Sequence, residues 1–282
     1  MTFTGTASYV IADGRAAVIV DPGPDDPAHR DALLAALPPF AEAAAVLVTH
    51  SHRDHSPGAA PLAKTLSAPV LAFGPHGAGM TAAQRARAEA FPGIGGGEGA
   101  DHGFAPDRAL SDGATVAVGG RRLIALHTPG HLSNHLCFAL DGEGVVFTGD
   151  HVMGWATTMV SPPDGDMGAF MASLALLQGR GDRLFLPGHG PPVANPDGMI
   201  AWQLAHRRAR EAQILDALAG GPATPEALTR RLYAAVDPAL WPAAKRNVLA
   251  HLLSLVDAGR VVATPAPAAD AAFACAPSGG AG

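Results

Sequence analysis

The chain has 282 residues, 48 % of them hydrophobic and 16 % charged, with a formal net charge of −6; this is a globular composition that excludes a disordered chain. No run of about 18 uncharged apolar residues occurs, because Pro38, Pro39 and Glu42 break the nearest approach at 32–48, so no membrane-spanning helix is expected. Cys137 and Cys275 are too few for a disulfide framework or a thiolate metal site, whereas thirteen histidines, the commonest protein metal ligands, are the compositional signal.

Taken in order, Met1, Thr2, Phe3, Thr4 and Gly5 lack a basic start and an apolar stretch, so no secretory signal is expected and a cytoplasmic location fits. Residues 9–11 and 16–20 read as strands around an Asp13-Gly14 turn. A helix is predicted over 27–37 before Pro38-Pro39, then a buried strand at 46–48 that runs directly into Thr49-His50. A helix at 58–66 and a strand at 70–72 follow. Residues 93–107, rich in glycine and proline, read as a loop. Strands are predicted at 115–118, 122–126, 135–140 and 144–147, with Cys137 as a small core residue. A helix at 167–177 and a strand at 184–186 complete this part.

From Asp197 the character changes. Helices are predicted at 199–218, 228–234 and 241–257, with Thr224-Pro225-Glu226 as a helix start and Gly259 as a stop. Residues 260–263 read as a short strand. This is the pattern of a small winged-helix-like module. Residues 264–282, rich in Ala, Pro and Gly, are expected to be disordered. The predicted units are therefore 1–197, 198–263 and 264–282. Residues 1–197 carry a net −8, residues 198–263 carry +3 and the tail −1. Duplex DNA is not an expected partner of such an acidic body.

The chemistry is concentrated in His50-Ser51-His52-Arg53-Asp54-His55. A lone histidine is most often a surface or core residue. Three histidines and an aspartate within six residues, just after an apolar strand, point to metal. In an extended segment His50 and His52 share a face and can converge on one ion, while Asp54 and His55, past a bend, can address a second. His131 in Thr128-Pro129-Gly130-His131, Asp150 in Phe147-Thr148-Gly149-Asp150 and His189 in Pro187-Gly188-His189-Gly190 each follow a predicted strand and a glycine-bearing turn. His127 and His135 read as packing or turn residues, His151 as structural, and His29, His76, His102 and His251 as surface residues.

In this order Asp21, the His50–His55 block, His131, Asp150 and His189 resemble the metallo-β-lactamase superfamily. The resemblance implies an α+β fold, a four-layer αββα sandwich with a dinuclear site at one edge. It implies His50, His52 and His131 on one metal, Asp54, His55 and His189 on the other, and Asp150 bridging both. Asp21 resembles the family's aspartate that orients a ligand histidine. Two divalent ions about 3.5–4 Å apart share a hydroxide that is nucleophilic at neutral pH and polarise the substrate oxygen. Asp54 is the candidate for orienting the nucleophile or taking its proton. Zinc is the expected metal, with manganese or iron compatible with the same donors.

The segment from Leu232-Tyr233 through Trp241 to Lys245–Leu252, with 49–58 and 154–158, is similar to a lactamase-like subfamily with a C-terminal winged helix. That subfamily includes a mitochondrial single-strand endoribonuclease. Two features depart from neighbouring groups. Asp150 stands where the commonest zinc β-lactamases have cysteine, and the large insertion of RNA-cleaving β-CASP relatives is absent. The expected function is a dinuclear metal-dependent hydrolase acting on an ester, thioester or phosphodiester bond of a small molecule or single-stranded RNA. An endoribonuclease and an iron-dependent sulfur dioxygenase are the alternatives. A regulator with a degenerate domain is disfavoured by the complete ligand set. His206 and Arg207 read either as a solvated helix face or as contacts to an anionic substrate group. The C-terminal module is a candidate oligomer contact.

Overall fold

The computed structural model describes residues 4–91, 94 and 99–277. Residues 1–3, most of the 93–98 stretch of the expected loop, and 278–282 of the expected tail lie outside them. Five strands, β1 (Tyr9–Asp13), β2 (Ala16–Val20), β3 (Glu42–Leu47), β4 (Val70–Ala72) and β5 (Arg108–Ala109), form one sheet in that order. A second sheet contains β6 (Thr115–Val118), β7 (Arg121–His127), β8 (Leu136–Leu140), β9 (Val145–Gly149) and β10 (Leu184–Pro187), in the spatial order β10-β9-β8-β7-β6. Three helices, α1 (Pro27–Ala36), α2 (Ala59–Leu66) and α3 (Ala82–Ala90), connect strands of the first sheet, and α4 (Met167–Leu177) lies between β9 and β10.

Alternation along the strands dictates the layering. Val18 and Val20 of β2, Ala45 and Leu47 of β3, and Leu136, Phe138 and Leu140 of β8 meet in one core between the sheets. The intervening residues point outward. Ile19 and Val46 pack with Leu33 of α1 and Leu62 of α2, whereas Cys137, Ala139 and Val146 pack with Phe170 and Leu174 of α4. The result is helix, sheet, sheet, helix. Cys137 is fully buried, as a small core residue should be.

The C-terminal part comprises α5 (Pro196–Ala219), α6 (Pro225–Leu232), a 3-10 turn (Pro238–Leu240), α7 (Trp241–Asp257), β11 (Val261–Thr264) and β12 (Ala272–Cys275). The expected boundary after residue 197 falls in the first turn of α5, which serves both parts. Ile200 and Leu204 belong to the outer layer of the sandwich, and Ile214 and Leu218 to the core of the module with Leu228, Val248 and Leu252. Among the described residues no helix is long and apolar enough to cross a membrane.

Three elements depart from the predicted pattern. Residues expected in the disordered tail form β12, antiparallel to β11. The cause is Phe273, a lone aromatic in a small-residue segment, which is fully buried in the module core. The two-residue β5 is too short to give a periodic signal. Helix α3 buries only Gln84, so it carries no apolar period, but its start is written locally. Thr81 Oγ1 accepts from Gln84 N at 3.2 Å and Gln84 Oε1 accepts from Thr81 N at 2.8 Å, a reciprocal cap.

Because the tail strand hangs on one side chain, Phe273→Ala is expected to destabilise the module by about 3–5 kcal/mol. A lowered midpoint in thermal unfolding would register the loss; an unchanged midpoint would show that β12 adds nothing.

Candidate metal centre and cavity

Every candidate metal-binding side chain is delivered by a loop at one edge of the sandwich. Asp21 follows β2 in a left-handed conformation, φ 50°. Its Oδ1 accepts from Thr49 N at 2.7 Å, and its Oδ2 accepts from Thr49 Oγ1 at 2.7 Å and from His55 Nδ1 at 2.9 Å. Thr49 thus directs its hydroxyl proton to Asp21, so its oxygen accepts from His50 Nδ1 at 2.9 Å. His131 Nδ1 donates to the Met159 carbonyl at 2.7 Å, and His189 Nδ1 to the Gly5 carbonyl at 3.0 Å. With each Nδ1 proton committed, the Nε2 atoms of His50, His55, His131 and His189 are left as lone pairs.

Those lone pairs converge in two groups. His50 Nε2 and His131 Nε2 each lie 3.0 Å from His52 Nδ1, and Asp150 Oδ2 is 3.6 Å from His131 Nε2. One proton on His52 can serve only one of its two neighbours. In the second group His55 Nε2 and His189 Nε2 are 3.4 Å apart. Asp54 Oδ2 lies 3.5 Å from the first and 3.2 Å from the second, and Asp150 Oδ1 3.4 Å and 3.3 Å. Asp150 Oδ1 is buried without a hydrogen-bond partner. The structure therefore brings together His50, His52, His131 and Asp150, and separately Asp54, His55 and His189, each set able to hold a metal ion. Asp150 reaches both. The all-nitrogen-and-oxygen donor set fits a divalent cation.

Electrostatics agree with that fit. Burial, then the neighbouring imidazoles, press His50 well below the ordinary histidine range and His52 to about 3. In the second group burial also opposes charge. It is outweighed at His189 by Asp150 and Asp54, which lift the pKa to about 10, and at His55 by Asp150 and Asp21. The carboxylates there demand a positive charge, and a cation answers that demand as well as protons do.

The turns that deliver these ligands need glycine because backbone or side chains pass too close for a Cβ. At Gly130, φ +139°, a Cβ would stand 2.3 Å from Phe170 Cα of α4. At Gly188 it would meet Asp150 Oδ1 at 2.6 Å and His55 Cε1 at 2.8 Å.

A cavity of about 680 Å³ opens above the two groups. His52, Asp54, His131, Asp150 and His189 lie at its floor, and Met80, Met153, Trp155 and Met159 line its apolar wall. Helix α7 adds Ala243, Arg246 and Asn247.

Other histidines depart from their expected roles. His76, read as a surface residue, is half-buried in the cavity wall, and His251 is buried, whereas His102 is exposed as expected and borders the cavity. His135 is more than packing. Its Nδ1 bonds Thr128 Oγ1 at 2.9 Å, and its Nε2 accepts from Asp150 N at 3.2 Å, so it fixes the turn that presents Asp150. Only its place close to His131 in the chain hinted at this. His206 and Arg207 do not line the cavity, and Arg207 is not solvated either. Its buried guanidinium donates to the Thr158 carbonyl and lies 5.3 Å over the Phe170 ring, tying α5 to the sandwich. The cation that borders the cavity is Arg246 of α7.

Comparison with known proteins follows the same division. Residues 1–189 match the metallo-β-lactamase superfamily and residues 224–268 the β-lactamase-associated winged helix domain. The chain is similar to an atrochrysone carboxyl ACP thioesterase of Aspergillus terreus, 32 % identical over 219 residues, covering 77 % of this chain and 59 % of that protein. It thus spans about three fifths of the length of such curated relatives. The metallo-β-lactamase family protein TTHA1429 from Thermus thermophilus is 26 % identical with a TM-score of 0.75, over 96 % of this chain and 93 % of that one. TTHA1623, solved in a di-iron-bound form, is 30 % identical with a TM-score of 0.50, over 69 % and 91 %. The chain belongs to the metallo-β-lactamase superfamily and carries the winged helix domain associated with it.

Proposed function

We propose that the protein is a dinuclear metal-dependent thioesterase acting on an apolar acyl group. The observation that carries this reading is the pair of lone-pair clusters sharing Asp150 at the floor of a methionine-lined cavity. His50, His52 and His131 would hold one ion, Asp54, His55 and His189 the other, with Asp150 common to both. Two divalent ions so held supply Lewis acidity and a water acidic enough to attack at neutral pH.

The chain's own residues do the remainder. Asp54 is only half-buried at the floor, and Thr6 Oγ1 donates to its Oδ2 at 3.0 Å. It is thereby oriented to accept a proton from an attacking water. Asp21 orients His55, and His135 holds the Asp150 turn. Met153, Trp155 and Met159 provide a surface for an acyl chain, excluding water from it.

A thioester is favoured over RNA for two reasons. Relatives with about 32 % identity are named ACP thioesterases. Arg246 is also the only arginine or lysine among the described residues lining the cavity, a sparse provision for a phosphodiester backbone. Zinc suits the donors, and so do manganese and iron, the metal of the TTHA1623 structure.

His52→Ala is expected to bring thioester hydrolysis to background and to reduce bound metal, measured by elemental analysis of protein purified without added metal. Undiminished hydrolysis in metal-stripped protein would overturn the reading. Asp21→Asn leaves every candidate ligand in place but weakens the acceptor that orients His55. It is expected to lower metal affinity about 10–100-fold in a chelator competition, and an unaltered affinity would remove Asp21 from the orienting role.

A further inference from the structure

His76 belongs to neither ligand group, yet a single side chain separates it from them. It follows β4 and lines the cavity wall, its side chain 17 % exposed. Its Nδ1 stands 3.0 Å from Oγ of Ser51, the fully buried residue between His50 and His52. Asn134 Nδ2 donates to the same Ser51 oxygen at 3.0 Å. The Gly74 and Pro75 carbonyls, 3.3 and 3.2 Å from that nitrogen, fix the amide this way round. A side-chain amide nitrogen accepts nothing, so the single Ser51 hydroxyl proton goes to His76 Nδ1. Were Nδ1 protonated instead, Ser51 would face two donors, and its own proton would have no acceptor among the described residues.

The tautomer follows. A neutral His76 that accepts at Nδ1 carries its proton on Nε2. Burial, the largest influence, favours the neutral ring, and His102, edge-on with centroids 4.5 Å apart, adds to it against Asp164 and Asp101. The two nitrogens of an imidazole point in nearly opposite directions. With Nδ1 turned to the buried Ser51, the N–H is presented on the side of the ring that meets the cavity. The neighbours of the ring also select what this N–H takes. Asp164 Oδ2 is 3.9 Å from Nδ1, and Asp101 acts on the ring from the adjoining segment. Both carboxylates oppose an anionic acceptor, whereas a neutral carbonyl oxygen meets no such opposition.

We propose that His76 is a substrate-binding residue, a neutral Nε2–H donor to a carbonyl oxygen of the bound substrate, with Ser51 and Asn134 fixing its tautomer. The nature of that substrate rests on the thioesterase reading; the donor and its tautomer do not. No covalent bond is made or broken at His76.

The test uses the zinc-loaded full chain with isotope-labelled histidine ring nitrogens, the octanoyl thioester of N-acetylcysteamine, and its non-hydrolysable amide counterpart. Nitrogen NMR at neutral pH is expected to show His76, assigned by its loss in His76→Gln, as the Nε2–H tautomer. Ser51→Ala is expected to shift that population toward Nδ1–H. Adding the amide is expected to move the Nε2 resonance. By calorimetry His76→Phe, a ring without a donor, is expected to bind the amide about three- to tenfold more weakly. His76→Gln, whose side chain restores an N–H, is expected to recover most of that loss, and kcat/KM for the thioester to follow the same order. A wild-type ring protonated at Nδ1, an affinity or kcat/KM unchanged in His76→Phe, or equal losses in the Phe and Gln variants overturns the donor. The expected tautomer and amide binding without thioester hydrolysis would uphold the donor and remove the thioesterase reading. Neither amide binding nor hydrolysis would remove both.

Discussion

The constraint on which the site depends is that its histidines have already committed their protons. Thr49, Asp21, the Met159 carbonyl and the Gly5 carbonyl each take an Nδ1 proton, from His50, His55, His131 and His189 respectively. What remains at the centre is a set of lone pairs and two carboxylates, mutually repulsive unless positive charge lies among them. A histidine cluster built for packing would place donors opposite acceptors. Asp21 holds the arrangement together from outside: one carboxylate governs the tautomer of His55 directly and that of His50 through Thr49. One histidine of each group is thus oriented by a single buried residue just past β2.

That geometry is set where the candidate ligands leave the surrounding sandwich. Apolar strands buried on both faces end in sharp turns, and the turns pack on elements beyond them. Gly130 lies against the backbone of α4, so the loop bearing His131 is set by the helix that covers the outer face of the second sheet. Gly188 lies against Asp150 and His55, so the loop bearing His189 nests directly into the other candidate ligands. Packing of the outer layer and placement of the site are therefore one problem, and substitution in the α4 interface reaches the ligands through the backbone.

Much of this was legible in the sequence. The apolar strands at residues 16–20 and 135–140, and the recurrence of strand, turn and candidate ligand at His131, Asp150 and His189, are local signals that the structure retains. The αββα layers followed from the resemblance carried by those residues, and the winged helix from the order of helices and strand predicted at 199–263. What escaped depends on contacts distant in the chain. His76 and His102 border the cavity only because the 74–80 and 99–103 segments come together beside the 51–56 loop, and no spacing rule expresses that. Phe273 orders a segment whose composition otherwise resembles a disordered tail, since one buried aromatic outweighs several alanines and prolines. Arg207 was legible as a functional cation by type, but its burial turns the same charge into an interdomain tie.

The tie explains why the module belongs to the site. Burial, the largest influence, brings the Arg207 pKa down to about 10, and its guanidinium donates to the Thr158 carbonyl and to Asn247 Oδ1. Asn247 Oδ1 also accepts from Val160 N at 3.1 Å, so α7 is joined to the 158–160 segment by both its side chain and the arginine. That segment carries Met159, whose carbonyl fixes His131 and whose residue lines the cavity. Docking of the winged helix, orientation of a ligand histidine and shape of the apolar wall therefore share three consecutive residues. A shift of α7 by a fraction of a hydrogen-bond length would alter all of them at once. The module thus holds the backbone segment whose Met159 carbonyl orients His131.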